Sequence, residues 1–264
     1  MGEIVLNITY GKNEGLIMSP SELVERYLYG IPLTKKDGST LPNSVIKQHL
    51  ITSQSKIENW LNIRLCPEII TERFDFKRRE WEEWGYVRMT YPVRKAISII
   101  GYLNKVKQAE YPKQWLSERP TTDSISYFRN IYLVPNGAVG TLSNNFAFTG
   151  ISPNLGWFGK MTIPNYWNMT YLTGYTDLNR VSDVIDYVGK MASIPVLSMI
   201  GDIILGVGVS SQSLSMDGLS QSIGIAKSNQ GGVFSGRISQ YLTEMKEQFT
   251  RTEKIYKGIT FQAV

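Results

Sequence analysis

The apolar residues of this chain change period twice, and no single class of secondary structure accommodates both periods. Near both ends they recur at spacings of three and four, whereas through the middle they alternate. A helix buries one stripe and a strand buries every second side chain, so the chain is expected to fold as helix, then sheet, then helix. In the middle, Ile70, Phe74 and Phe76 share one parity, as do Val87, Met89 and Tyr91, and residues 96–103 form a further β-rich run. Prolines at 92, 112, 120, 135, 153 and 164, with many Asn and Gly residues, punctuate shorter apolar runs at 130–134, 146–150 and 169–175. Residues 67 to about 175 therefore read as an antiparallel β-subdomain.

The flanking helices carry their own start and stop signals. Ser19-Pro20-Ser21-Glu22 offers an N-cap, a proline at the first helical position and a capping-box glutamate. Leu23, Val24, Tyr27 and Leu28 then fall on one face, and Gly30 with Pro32 ends the run. Pro42-Asn43-Ser44 opens a second helix with the stripe Ile46, Leu50, Ile57, Trp60 and Leu61, interrupted by the polar Ser53 and running to about Ile63. Ser182-Asp183 caps a third, with Val184, Val188, Met191, Pro195 and Met199 on one face; Pro195 is expected to kink or split it. The most apolar stretch, 191–209, contains Pro195 and Asp202 and follows Lys190, which reads as a buried helix rather than a membrane span. A final helix covers about 234–256, with the stripe Ile238, Leu242, Met245, Phe249, Thr252 and Tyr256. Its outer face sets Arg237, Lys246, Arg251, Lys254 and Lys257 against Glu244, Glu247 and Glu253.

Between the last two helices, residues 206–232 are rich in Gly and Ser and nearly free of charge. Asp217-Gly218 between Met216 and Leu219 is a two-residue hairpin signal, because both central residues of a type I′ turn need positive φ. That register sets Ser215 opposite Ser220 and Ser213 opposite Ser222.

The inventory of reactive side chains is short. One histidine, His49, leaves a hydrolytic triad or an HExxH zinc site without its base, and one cysteine, Cys66, excludes an intrachain disulfide and a multi-Cys zinc site. Cys66, beside Pro67, reads as a small buried apolar residue. Gly206-Val207-Gly208 lacks the third glycine and the strand–turn–helix context of a dinucleotide loop. Glu80, Glu82 and Glu83 lie beside Trp81 and Trp84, yet they alternate with Arg78 and Arg79 as solvated turn residues do. The basic and aromatic content of residues 73–95 reads as a strand with a snorkelling basic face in preference to a single-strand nucleic-acid platform. A net charge of +5, with basic and acidic residues interleaved, steers polyanions only mildly. The start of the sequence lacks the basic region and apolar core of a signal peptide. The expectation is a protein that is not an enzyme and carries no cofactor, folded in a reducing cytosol.

The order of parts resembles a known family. Two helices, an inserted β-region ending at Tyr171-Leu172-Thr173-Gly174-Tyr175, a buried helical pair and a basic amphipathic last helix are similar to head–tail connector adaptors of tailed phages. Arg73-Phe74-Asp75-Phe76, Tyr91-Pro92-Val93, Gly201-Asp202-Ile203-Ile204-Leu205 and the segment from Ser213 to Ser220 look like phage structural proteins of this group. The likeness covers most of residues 40–257, but compact adaptors are largely helical and this chain carries a large β-rich insertion. The resemblance implies a homo-oligomeric, dodecameric ring in the virion neck, assembled in the host cytoplasm. It would dock under the portal protein and pass the DNA channel to the next neck or tail protein, with double-stranded DNA sliding through unread and no membrane involved.

The expected fold is therefore α+β. A helical adaptor core, in which N-terminal helices pack with C-terminal ones, would carry the antiparallel β-subdomain and a long β-hairpin. The segments are 1–65 (arm and helices), 66–176 (β-subdomain), 177–257 (helices, with the hairpin at 207–230) and 258–264 (tail). The expected portal-facing residues are Arg237, Tyr241, Met245, Lys246, Phe249, Arg251 and Lys254, with Ile259 and Phe261 of the charge-free tail pairing with a neighbour's strand. The expected channel or inter-subunit hairpin residues are Ser213, Ser215, Asp217, Gly218, Ser220 and Ser222. The competing expectation is a carbohydrate- or receptor-binding tail module built on the tryptophans at 81, 84, 115, 157 and 167.

Overall fold

The computed structural model describes residues 15–34, 38–79, 86–118, 128–133, 162–205, 211–216, 219–224 and 232–257, the two segments at 211–216 and 219–224 as backbone. The fold is mixed α+β, and every strand pairing among the described residues is antiparallel. The chain divides into two compact units, one holding Asn62–Arg180 and the other Gly11–Leu61 with Val181–Val264.

In the first unit, β1 (Glu68–Lys77), β7 (Thr162–Thr173), β3 (Lys95–Leu103) and β4 (Val106–Glu110) form a four-stranded sheet in the order β1-β7-β3-β4. β2 (Tyr86–Arg88), β6 (Asn130–Leu133) and β5 (Leu116–Glu118) form a second sheet in the order β2-β6-β5. The two sheets share one core. Phe76, Ile99, Met169 and Tyr171 from the larger meet Val87, Ile131 and Leu133 from the smaller, around the edge-on pair Tyr166 and Trp167.

Pro164, expected to punctuate, instead sits inside the twelve-residue strand β7. A proline cannot donate to a ladder, but the pairing of β1 and β7 shifts between Phe74 and Phe76, and Pro164 falls within that bulge. Asn165 takes a φ of 52° there and donates its amide to Asp75 Oδ1 at 2.8 Å. At the far end of β7, Gly174 has a φ of +85°, and a Cβ would lie 2.1 Å from the carbonyl oxygen of Cys66. The adjacent Tyr175 amide donates to the Leu65 carbonyl, closing the strand end against the start of the unit. Cys66, expected to be buried, is only half-buried; its backbone rather than its thiol makes this contact.

In the second unit, α1 (Pro20–Tyr27) is held by the expected capping box: Ser19 accepts the Glu22 amide and Glu22 accepts the Ser19 amide. α2 (Asn43–Leu61), α3 (Ser182–Leu205) and α4 (Ser235–Lys257) complete the helices, and α3 packs against α1, α2 and α4. Ser53, read as a break in the α2 stripe, is itself buried, in line with Ile46, Leu50 and Ile57. Next to it, Gln54 takes the Ile17 amide and donates to the Gly15 carbonyl and to Glu58, so this polar face is satisfied as it packs.

α3 runs without a break through Pro195. Its buried line is Val184, Val188, Ala192, Val196 and Ile200 beside Gly189, Ser193 and Leu197. The expected Met191, Pro195 and Met199 are only half-buried, whereas the small residues Gly189, Ala192 and Ser193 are buried. Tyr27 of α1 lies against the bare Gly189, where a Cβ would fall 2.3 Å from its ring. The helix is long and apolar enough to cross a membrane, yet 56% of the span is buried in this fold, as in the core helix of a globular unit.

The remaining pair, β8 (Ser211–Met216) and β9 (Leu219–Gly224), forms a two-stranded ribbon in the register predicted from Asp217-Gly218: Ser215 pairs with Ser220 and Ser213 with Ser222.

Candidate functional site

A helix of about 3.6 residues per turn cannot bury the whole of a wide stripe against neighbours on one side, and α4 shows which part prevails. Ile238, Tyr241, Met245, Thr252 and Tyr256 are buried, while Leu242 and Phe249 are exposed by 43% and 37%. The Tyr241 hydroxyl donates to the Tyr27 carbonyl at 2.7 Å, and the two rings meet edge to face. Tyr256 donates to Asp183 at 2.8 Å. Tyr241 and Met245, expected to face a partner, are therefore core residues of their own unit. Tyr241 was open to a surface reading because its hydroxyl partner is a backbone carbonyl more than two hundred residues away.

Phe249 stacks on Trp60 of α2 with centroids 4.2 Å apart, and Trp60 in turn packs near Tyr187 of α3. Its outer side stays open. Lys246 is exposed and follows Leu242 by four positions, so Leu242, Lys246 and Phe249 form one strip. Arg251 and Lys254 are also exposed, but Arg251 stands about 200° around the helix from Phe249. Arg237 lies on the same side as Arg251, about 40° from it on the helical wheel but nearly four turns earlier, and donates to the Tyr29 carbonyl at 3.1 Å. The basic residues expected to ring Phe249 are thus spread around the helix, and only Lys246 adjoins it. Among the described residues, Tyr29 beyond α1, Ile51 on α2, Val106, Phe128 and Val233 are exposed apolar side chains that escaped the sequence reading. Tyr29 follows the buried C-cap Leu28 and precedes the helix-ending Gly30, and that position was its only signal.

A charged network joins α3 and α4 on the flank of α4 away from this strip. Lys190, a buried residue of α3, bridges Asp186 and Glu244, each at 2.7 Å. Burial opposes its charge, but hydrogen bonds to the two carboxylates prevail and hold the amine above its ordinary value. The Lys190 bond, seconded by Gln240, holds Glu244 below its own. Tyr27 donates to Asp186 at 3.2 Å, and burial followed by that carboxylate raises its phenol. Taking away either carboxylate leaves the buried Lys190 amine with one counter-charge fewer. The network fixes α4 on α3.

The backbone of the ribbon places Ser213, Ser215, Ser220 and Ser222 at paired positions; Asp217 and Gly218, like Ile259 and Phe261 of the tail, lie outside the described residues. So do Glu80, Glu82, Glu83 and Gly206-Val207-Gly208. His49 is half-buried on α2. No cluster of three His, Cys, Asp or Glu residues suited to a metal occurs among the described residues.

Of the five tryptophans offered as sugar platforms, Trp167 is buried at the centre of the β core and Trp115 is half-buried against it; Trp81, Trp84 and Trp157 are outside the described residues. Burying an apolar side chain is worth roughly 1.5–3 kcal/mol, so Trp167 is committed to the core. No family model and no curated protein sequence matches the chain.

Proposed function

We propose that the chain is a structural subunit of a phage head–tail connector, forming a ring under the portal that continues the DNA channel and joins head to neck or tail. The observation that carries this reading is the register of the β8–β9 ribbon. Opposed residues of an antiparallel pair share a face, so Ser211, Ser213, Ser215, Ser220 and Ser222 belong to one face with Gly224. Gln212, Leu214, Met216, Leu219, Gln221 and Ile223 belong to the other. Neither strand contains an ionisable side chain. A hydroxyl face without Lys or Arg forms no ion pairs with phosphate, which suits a surface past which double-stranded DNA must slide. A two-stranded ribbon cannot cover its own apolar side, and in a ring the neighbouring copy supplies the cover.

On this reading the helical unit is the adaptor core and the β unit its insertion. The portal-facing strip is Leu242, Lys246 and Phe249, with Arg251 and Lys254 meeting other subunits and the tail at Ile259 and Phe261 pairing with a neighbour's strand. The chain acts without catalysis or a cofactor, in the virion neck. The carbohydrate-binding alternative loses support from the burial of Trp167 and the partial burial of Trp115. The test is electron microscopy of the purified protein mixed with portal. Rings seated on the portal are expected, and a persistent monomer that never binds portal would overturn the reading.

A further inference from the structure

In an antiparallel ladder the two members of a hydrogen-bonded pair turn their backbone groups towards each other, and those of the next pair turn theirs away. Met216 and Leu219 are separated by only two residues, so they close the ribbon as a bonded pair, as do Leu214 with Gln221 and Gln212 with Ile223. The intervening pairs are Ser215 with Ser220, Ser213 with Ser222 and Ser211 with Gly224. Their N–H and C=O groups point away from the ribbon, along the outer edges of β8 and β9.

Such edges are normally guarded. Charged side chains, prolines and bulges keep a native edge strand from pairing with another chain. The outer strands of the larger sheet follow this rule: β1 carries Glu68, Arg73, Asp75 and Lys77 with a bulge at Asp75, and β4 carries Lys107 and Glu110 and pairs through a register shift. β8 and β9 have none of these devices. Each is six residues long without an ionisable side chain or a proline, and their register runs without a shift. Among the described residues no third strand adds to either edge, and a lone two-stranded ribbon is only marginally stable in water.

We propose that these edges pair between copies of this chain, β9 of one against β8 of the next. A ribbon offers one edge of each kind, so copies related by rotation use every edge, and a closed set leaves none free. The outward groups on both edges belong to the serine rows. Pairing therefore sets serine rows opposite each other and carries the hydroxyl face from copy to copy. The inference rests on the connector reading for the ring and names what joins one subunit to the next.

The full chain is mixed with portal, and seated rings are counted by electron microscopy and followed by residue-resolved amide hydrogen exchange. The amides of Leu214 and Gln221, bonded within the ribbon, are the internal reference. Those of Ser213, Ser215, Ser220 and Ser222 are expected to exchange within about tenfold of that reference, whereas an unpaired ribbon leaves them free. Ser213→Pro removes one outward N–H and spares the ribbon's own bonds, so it is expected to lower the number of seated rings about tenfold. Ser213→Ala keeps that N–H and should leave the number unchanged. Rings in which the four serine amides exchange freely, or which form equally well with Ser213→Pro, would sink this inference and leave the connector reading standing. Protection of one edge alone marks a portal strand or a two-fold pair and sinks it as well. A persistent monomer that never binds portal removes both.

Discussion

At the residue scale, position 189 shows how one missing side chain sets the packing of the helical unit. Alanine is favoured over glycine within a helix by about 1 kcal/mol, so propensity alone argues that Gly189→Ala stabilises. The new methyl group would meet the Tyr27 ring at 2.3 Å, and that ring is held by Asp186 at its hydroxyl and by Tyr241 at its edge. Overpacking of a fixed neighbour costs roughly 1–3 kcal/mol and outweighs the propensity gain, so a lower denaturant midpoint is expected. The Lys190 network sets the pH response. Glu244 has a depressed pKa, so its contribution is present above its ordinary 4.5 and is lost as pH falls through the lowered value. Lys190 has a raised pKa, so its contribution is present below its ordinary 10.5 and is lost as pH climbs through the raised value. Urea midpoints should therefore peak between those limits, and Lys190→Met should lower the midpoint within that window and remove most of the loss above it.

At the element scale, α4 turns on the difference between a stripe and a face. Its sequence offers Leu242 and Phe249 on the same terms as Ile238 and Met245, and the structure separates them because α2 and α3 cover only one side. Phe249→Asp breaks the stack on Trp60, so a loss of about 1–2 kcal/mol in the helical unit is expected, together with loss of portal binding on the connector reading. Leu242→Asp touches the same strip at a more exposed point. Its stability should stay within about 0.5 kcal/mol of the parent while portal binding falls. Denaturation and portal pull-down on both variants check this pair; normal portal binding by Leu242→Asp would remove the strip from the interface. β7 makes the complementary point. Pro164 inside a strand looks like a terminator, yet the bulge opposite Asp75 absorbs it, and Asp75 ties the bulge down by accepting the Asn165 amide.

At the scale of the whole molecule, the connector reading predicts that charge placed on the ribbon changes DNA movement in an assembled particle. Ser215→Lys with Ser220→Lys puts two cations at paired positions on the face free of ionisable groups, and each adds a phosphate contact. Slower genome ejection in single-particle assays is expected, more so at low salt; unchanged ejection with normal assembly would detach the ribbon from the channel. The elements behind this reading were legible to different degrees. The α1 capping box, the switch from helix to strand and back, and the Ser213–Ser222 pairing follow from the sequence by itself, because caps, turns and periodicity are settled between residues close in the chain. Which side chains face inward was decided only by tertiary structure. Ser53 is buried, Leu242 is exposed and Met191 is only half-buried, because burial belongs to two surfaces together and one sequence stripe specifies only half of it. Arg129 is the clearest case: the basic run at 73–95 is visible in the sequence, but Arg129 is brought beside it only through the pairing of β2 with β6, and long-range strand pairing leaves no local mark.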